Sequence, residues 1–362
     1  MKIKRIFLSP QTEKDARAGA LVEKFQPEKI FKVKDIKEAN RILGSEPDPL
    51  GAGKQSLYLD YFKGRFFEPC PCTRWYFSCG YWILSPVVGC GYDCSYCILQ
   101  GYLDAYPIQV YLNLEDLFKE LEEFPKERKL RLGTGELADS LELEPKLGYA
   151  QRLIEFFQQR KNLILEFKTK SDHIQPFLET EPVENLVVSW SVSPAPIDEQ
   201  EEKGTATISQ RIESARILSE KGFWVGFHFD PILLGLGIEP YLELVEEIFQ
   251  KVKKSQIVWF SLGGLRYPSR LAGIIKERHP ESRILAEELF PGKDSKLRYL
   301  RPVRERFFKQ LIERIRQHHS RVLIYLCMES RELWERLLGF PAPLIVEELK
   351  TLPGERRYFK PG

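Results

Sequence analysis

The sequence lacks any run of 18 apolar residues, so it predicts no transmembrane helix and no membrane partner. Its opening, MKIKRIFLSPQTEKDAR, has no apolar stretch leading to a small-residue cleavage site, so no signal peptide is expected. An excess of one charge is also missing. Fifty-four basic residues face fifty-two acidic ones, for a net charge of +2. That balance excludes a polycation that binds nucleic acid through bulk charge, while leaving room for a local basic patch. Histidine is scarce: the five residues His173, His228, His279, His318 and His319 show no paired ligand spacing with the cysteines. Strong internal repeats and low-complexity tracts are absent too. What is present is a chain of 362 residues, 43% hydrophobic, enough for a sizeable core in one large domain or two smaller ones. A cytoplasmic enzyme is the expectation.

The seven cysteines are Cys70, Cys72, Cys79, Cys90, Cys94, Cys97 and Cys327, and six of them fall between residues 70 and 97. An odd number in a long chain without a secretion signal does not read as a disulfide framework. Clustered thiols in a reducing compartment point to metal or redox chemistry.

Residues 1–60 read as a small α/β appendage, with KRIFLS as a strand, TEKDARAGALVEKF as a helix and EPDPLGAGK as a break. Residues 61–340 carry the main domain, and 341–362 a C-terminal tail. In the main domain, short apolar runs alternate with amphipathic stretches. The strand candidates are 83–89, 108–113, 129–134, 163–170, 186–193, 223–230, 256–264 and 321–328. Helical patterns such as LEDLFKELEEF, ISQRIESARILSEKG and VRERFFKQLIERIRQ lie between them. The alternation implies an α/β fold with a parallel sheet, closed or nearly closed into a TIM-type barrel. Active-site residues of such barrels gather at the C-terminal strand ends. That directs attention to the Cys90 segment, 133–140, 168–171, 189–193, His228 with Asp230, 263–266 and 327–330.

The strongest local signal is VVGCGYDCSYCILQGYL, with Cys90, Cys94 and Cys97 spaced C-x3-C-x2-C. Three thiolates can hold three irons of a [4Fe–4S] cluster and leave the fourth without a protein ligand. That open iron can take the amino and carboxylate groups of S-adenosylmethionine, whose one-electron cleavage releases a 5′-deoxyadenosyl radical. Zinc would ask for a fourth ligand, commonly in paired C-x2-C or Cys/His sets.

CSYCILQGYL followed by YPIQVYLNLEDL resembles the radical SAM superfamily, and within it the spore photoproduct lyase family. RLGTGELADSLELE, DSKLRYLRP and IYLCMESRELW are similar to further blocks of that family, most clearly of its lyase-like branch. The resemblance covers most of residues 60–340. It implies a partial (β/α)6 barrel, a SAM-bound cluster on Cys90, Cys94 and Cys97, and a damaged or modified pyrimidine in DNA as substrate. It also implies reduced ferredoxin or flavodoxin as electron donor. Gly133, Gly135 and Glu136 resemble the superfamily's GGE-type motif, where a carboxylate suits the donor-only SAM ammonium. Lys170 resembles a lysine that contacts SAM, Ser191 stands where the family has a SAM-binding serine, and Tyr96 matches a tyrosine near the radical site.

Two departures bear on chemistry. Residues 133–140 contain no cysteine where the family's lyases carry the hydrogen-atom donor, and Ile98 replaces a tyrosine after the third cluster cysteine. Tyr96 and Cys327 are the substitutes the sequence offers. The departures keep open a radical SAM enzyme with a non-DNA substrate. A non-catalytic iron–sulfur or zinc protein that binds nucleic acid is the alternative from another class.

Cys70, Cys72 and Cys79 allow three readings: an auxiliary metal site short of a fourth ligand, a redox-active or hydrogen-donating thiol, or inert packed thiols. His228 and Asp230 alternate onto one face of a strand, as an active pair or as a satisfied polar pair. Residues 293–316 carry nine basic and three acidic side chains. Within and beside them, Lys296, Arg298, Tyr299 and Arg301, with Arg266, form the expected nucleic-acid contact.

Overall fold

The computed structural model describes residues 2–361. Seven apolar runs form parallel strands that lie side by side in chain order. They are β1 (Tyr81–Leu84), β2 (Leu130–Gly133), β3 (Leu163–Thr169), β4 (Leu186–Ser191), β5 (Trp224–Ile232), β6 (Ile257–Gly264) and β7 (Leu323–Leu326). Every residue of β2, β4 and β6 is buried. A parallel sheet covered on both faces needs such runs, which is why these strands read as continuous apolar stretches rather than alternating ones. The short strand Phe67–Pro69 pairs antiparallel with β1 and forms one edge, and β7 forms the other. The sheet is thus a curled, open half-barrel, as expected, with β7 as a seventh parallel strand.

Amphipathic helices cover its outer face. Ile208–Lys221 starts on a Thr207/Gln210 capping box and stops at Gly222, whose φ of +105° lets the chain turn back into β5. Arg301–His318 buries Phe307, Phe308, Leu311, Ile312 and Ile315 against the sheet side.

A second sheet runs Lys29–Lys32, Arg5–Leu8, Ser56–Asp60, Ile108–Tyr111, all parallel, and ends in antiparallel Val87–Val88. Two sequence expectations change here. The run 83–89 is not one strand, because the chain leaves the barrel at Leu84 and joins the N-terminal sheet at Val87. Pro86, with no N–H to give a ladder, stands in the break, and its carbonyl accepts from Tyr111 N at 3.1 Å. The run 108–113 is likewise a strand of the N-terminal sheet, not of the barrel series. The cysteine loop therefore starts where the chain has just crossed from one sheet to the other. Beyond residue 340, Ala342–Leu349 is a helix with Ile345 and Leu349 in the main core, and the buried Arg356 donates to Val258 O at 2.7 Å.

The barrel interior is polar at its centre. Glu166 of β3 is fully buried and meets His228 Nε2 of β5 at 2.7 Å and Trp259 Nε1 of β6 at 3.1 Å. Burial alone would raise the Glu166 carboxyl, but His228 and, farther off, Arg131 hold it at about 2. His228 is thus a satisfied core residue. Asp230, two residues on, reaches the mouth instead.

Candidate active site

Cys90, Cys94 and Cys97 lie on the loop after Val87–Val88, and a short bridge fixes that loop in place. Asp93 and Cys94 pair antiparallel with Lys203 and Glu202. Ser95 N also donates to Glu201 O at 2.9 Å, and Gln100 Nε2 to Cys94 O at 2.9 Å. Lys54, buried beneath, donates to Tyr92 O at 2.5 Å and lies 3.4 Å from Cys90 O. Burial would lower the Lys54 ammonium, but Cys97, Cys90, Asp93 and Cys94 raise it on balance. A buried cation bonded to the backbone of this loop suits an anionic thiolate cluster above it. Among the described residues no three Cys, His, Asp or Glu side chains close on a single-ion site. The three thiols without a fourth ligand fit a multi-iron cluster with an open iron. His279, far off in sequence, packs against this loop, but its Nε2 lies 3.7 Å from Asp93 rather than on a thiol.

Beside the loop, the ends of β2, β3 and β4 converge. Asp139, after β2, is tied to the end of β3, accepting from Thr169 Oγ1 at 2.6 Å and from Lys170 N at 2.7 Å. Lys170 Nζ reaches Glu202 at 3.4 Å. Glu202 is buried, pairs with the fully buried Arg211 at 2.7 Å, and accepts from Ser193 Oγ at 2.9 Å and from the Tyr96 hydroxyl. Burial would raise the Glu202 carboxyl, yet Lys170 and Arg211 hold it at about 2. Ser191 gives its carbonyl to Arg211 at 3.0 Å, and its hydroxyl has no protein partner among the described residues. Glu136 takes Lys168 on Oε2 at 2.7 Å, leaving Oε1 without one. Gly135 is tight: a Cβ there would meet Lys168 O at 2.4 Å, and one at Gly133 would overlap the Tyr81 hydroxyl. The sequence pointed to Lys170, Ser191 and Tyr96, and the structure brings them together. It pointed to neither Glu202 nor Arg211, which carry no motif, nor to Glu142. That buried carboxyl accepts from Gly91 N at 2.9 Å, and burial and Asp139 raise it to about 7.

The expected nucleic-acid residues divide. Arg266 lies at the mouth, donating to Asp230 at 2.9 and 3.1 Å and to Cys327 Sγ at 3.1 Å. It shares a three-stranded sheet with Lys296 and Arg298. Arg298 is buried, bonded to Asp294 at 2.7 and 2.8 Å, and stacked 4.1 Å over the Tyr76 ring. Tyr299 is not a stacking platform: its ring is buried and its hydroxyl accepts from Leu234 N at 3.0 Å. Arg301 is half-buried and paired with Glu332 at 3.0 Å. A better platform was overlooked. Trp75 is 51% exposed, with Arg74 5.3 Å and Lys293 5.7 Å from its ring. The RW dipeptide was its only signal.

The family model described as spore photoproduct lyase matches residues 74–319, about two thirds of the chain. The spore photoproduct lyase of Geobacillus sp. (strain Y412MC61) is 27% identical over 207 residues, 55% of this chain and 61% of that protein. The spore photoproduct lyase of Bacillus subtilis (strain 168) is 25% identical over 207 residues, 55% of this chain and 60% of that protein. The chain thus spans about 60% of the length of the curated relatives it matches. A solved spore photoproduct lyase complexed with dinucleoside spore photoproduct superimposes with a TM-score of 0.79 at 21% identity, over 90% of this chain and 98% of that one. A doubly substituted lyase with bound AdoMet and dinucleoside spore photoproduct gives 0.77 at 21% identity, over the same shares. These likenesses show the half-barrel fold. With the match over residues 74–319, they carry the conclusion that the chain belongs to the spore photoproduct lyase family.

Proposed function

We propose that this protein is a radical SAM enzyme that acts on a damaged or modified pyrimidine in DNA. Cys90, Cys94 and Cys97 hold one [4Fe–4S] cluster, and Lys170, Ser191 and Glu136 at or near the adjoining strand ends hold S-adenosylmethionine. The observation that carries this reading is the bridge from Cys94 to Glu202, which joins a three-thiol loop to a buried Lys170–Glu202–Arg211 network at the strand ends. When bound, cluster and S-adenosylmethionine supply a 5′-deoxyadenosyl radical that starts the reaction by hydrogen abstraction. The relatives solved with AdoMet and with dinucleoside spore photoproduct support both the cofactor and the lesion class.

The chain's own residues prepare that site. Glu136 Oε1 and the Ser191 hydroxyl are free to take the amino and carboxylate ends of an amino acid. The buried Glu202 keeps Lys170 and Tyr96 in place beside the thiol loop. Tyr96 carries an O–H and Cys327 an S–H from which a substrate radical can recover hydrogen. The electron comes from reduced ferredoxin or flavodoxin. A lesion in a duplex must be flipped out to reach a barrel mouth. Trp75 offers the stacking face, Arg74 and Lys293 beside it the phosphate contacts, and Lys296 a further cation. A non-DNA substrate is the second reading, favoured by Ser140. Its Oγ is bonded to Thr134 Oγ1 at 2.7 Å in the segment that has no thiol, and a hydroxyl is a poor hydrogen-atom donor.

The DNA reading is tested by anisotropy with UV-irradiated and undamaged oligonucleotides. Irradiated DNA is expected to bind more tightly, and Trp75→Ala to weaken it about 10-fold, the loss of one base–aromatic stack. Equal affinity for both DNAs, unmoved by Trp75→Ala, would move the substrate search away from lesions.

A further inference from the structure

The N-terminal appendage supplies a charge to the thiol loop. Lys54 ends the helix Pro49–Lys54, outside the family match at residues 74–319. Gly53 sets how closely that helix sits, since a Cβ there would run into the Tyr106 carbonyl. Asp48 caps its first turn, accepting from Gly51 N at 2.9 Å, and pairs with Arg278 at 2.9 and 3.1 Å. Arg278 also holds Asp93 of the thiol loop, at 2.9 and 3.2 Å. One arginine thus clamps the helix and the loop together.

The Lys54 side chain is 11% exposed, and its ammonium is bonded to the loop's backbone, at Tyr92 O (2.5 Å) and Cys90 O (3.4 Å). Carbonyl oxygens solvate a cation without cancelling its charge. Asp93 stands 3.7 Å away, is one-third exposed and is already engaged by Arg278. Asp48, the other acid of the group, is half exposed. Water therefore screens both acids more than it screens Lys54. A buried ammonium with so little compensation is costly in the metal-free chain. Burial works against its charge, and Cys97, Cys90, Asp93 and Cys94 more than offset that. The charge is in place for a loop that carries negative charge of its own.

We propose that Lys54 tunes the cluster on Cys90, Cys94 and Cys97, making it easier to reduce. The inference rests on the cluster reading given above. One electron, from reduced ferredoxin or flavodoxin, adds one negative charge to the cluster. No covalent bond breaks in that step and no proton moves. A fixed cation against the loop stabilises the more negative state and so shifts the potential upward. Lys54 acts as a permanent charge, through the cluster and not on the substrate. The appendage is then part of the apparatus that accepts the electron.

The test is a potentiometric titration of the reconstituted chain without S-adenosylmethionine, followed by the EPR signal of the reduced cluster. Lys54→Gln keeps a donor for the two carbonyls and removes the charge. It is expected to hold the same iron and sulfide per chain at a lower midpoint. At a fixed potential its reduced-to-oxidised ratio should fall about tenfold, which is about 59 mV for a one-electron couple. Lys54→Arg keeps the charge and should stay near the wild-type midpoint. A lysine that only holds the loop in shape would change iron content and leave the midpoint alone. A fully loaded Lys54→Gln with the wild-type midpoint would overturn the proposal, as would a Lys54→Arg midpoint lowered as far as that of Lys54→Gln. If Lys54→Gln does not fold or hold iron, Asp93→Asn decides. Neutralising the acid beside Lys54 is expected to raise the midpoint, and an unchanged or lower one would overturn the proposal. A wild-type chain that takes up no cluster would overturn the function proposed above, and this inference with it.

Discussion

Glu166→Ala is expected to lower the unfolding free energy of the metal-free chain by about 3 kcal/mol or more, since it leaves two buried ring nitrogens unpartnered at about 1–3 kcal/mol each. The carboxylate sits at the barrel's centre and takes His228 Nε2 and Trp259 Nε1 at 2.7 and 3.1 Å, with the buried Arg131 guanidinium as a neighbouring cation. None of these groups has water to turn to once it is gone. Glu166→Gln keeps an acceptor for Trp259 and should cost less. The pH dependence has a definite sign. The folded-state value of about 2 lies below the ordinary 4.5. The charge therefore stabilises the fold above about pH 4.5, and that contribution fades as pH falls toward 2. Its full size is about 3 kcal/mol, from the shift at 1.36 kcal/mol per unit. Urea midpoints between pH 2 and 7 should fall with acid more steeply in the wild type than in Glu166→Gln. Equal slopes and equal midpoints would show that the pair carries no net stability.

The second large effect falls on Glu202. Replacing it with alanine leaves Arg211 with Asp198, frees Lys170, and takes away the acceptor of Tyr96 and Ser193. Since the Glu202 side chain also holds the Tyr96 hydroxyl, next to Cys97 in the thiol loop, both halves of the site should loosen together. A 10–100-fold loss of cluster affinity or SAM turnover is expected, the usual cost of removing a group that orients metal ligands and their neighbours. Iron retention after desalting and equilibrium binding of SAM separate the two contributions. If both are unchanged in Glu202→Ala while the chain stays folded, the network is not part of the site.

Much of the fold was legible because its signals are local. Runs such as LVVSWS and LILEFKT are β-branched and apolar enough, between amphipathic helices, to read as strands of a parallel sheet. The thiol spacing lies within eight residues and needs no tertiary knowledge. Leu84 to Val87 was misread because a single proline between apolar residues looks like an interruption rather than a change of sheet. Tyr299 was misread because a tyrosine among arginines says nothing about which way its ring turns. Here it turns inward, to Leu234 N. Glu202 and Arg211 were invisible because their role comes only from meeting Lys170 and Tyr96 across elements.

The most direct test of the central claim is 5′-deoxyadenosine release. The protein would be reconstituted anaerobically with iron and sulfide, reduced, and given SAM with UV-irradiated or undamaged DNA. The account predicts release that rises with irradiated DNA, accompanied by loss of the lesion, and that vanishes in Cys94→Ala. A fully loaded cluster that binds SAM and yields no 5′-deoxyadenosine with either DNA would contradict it.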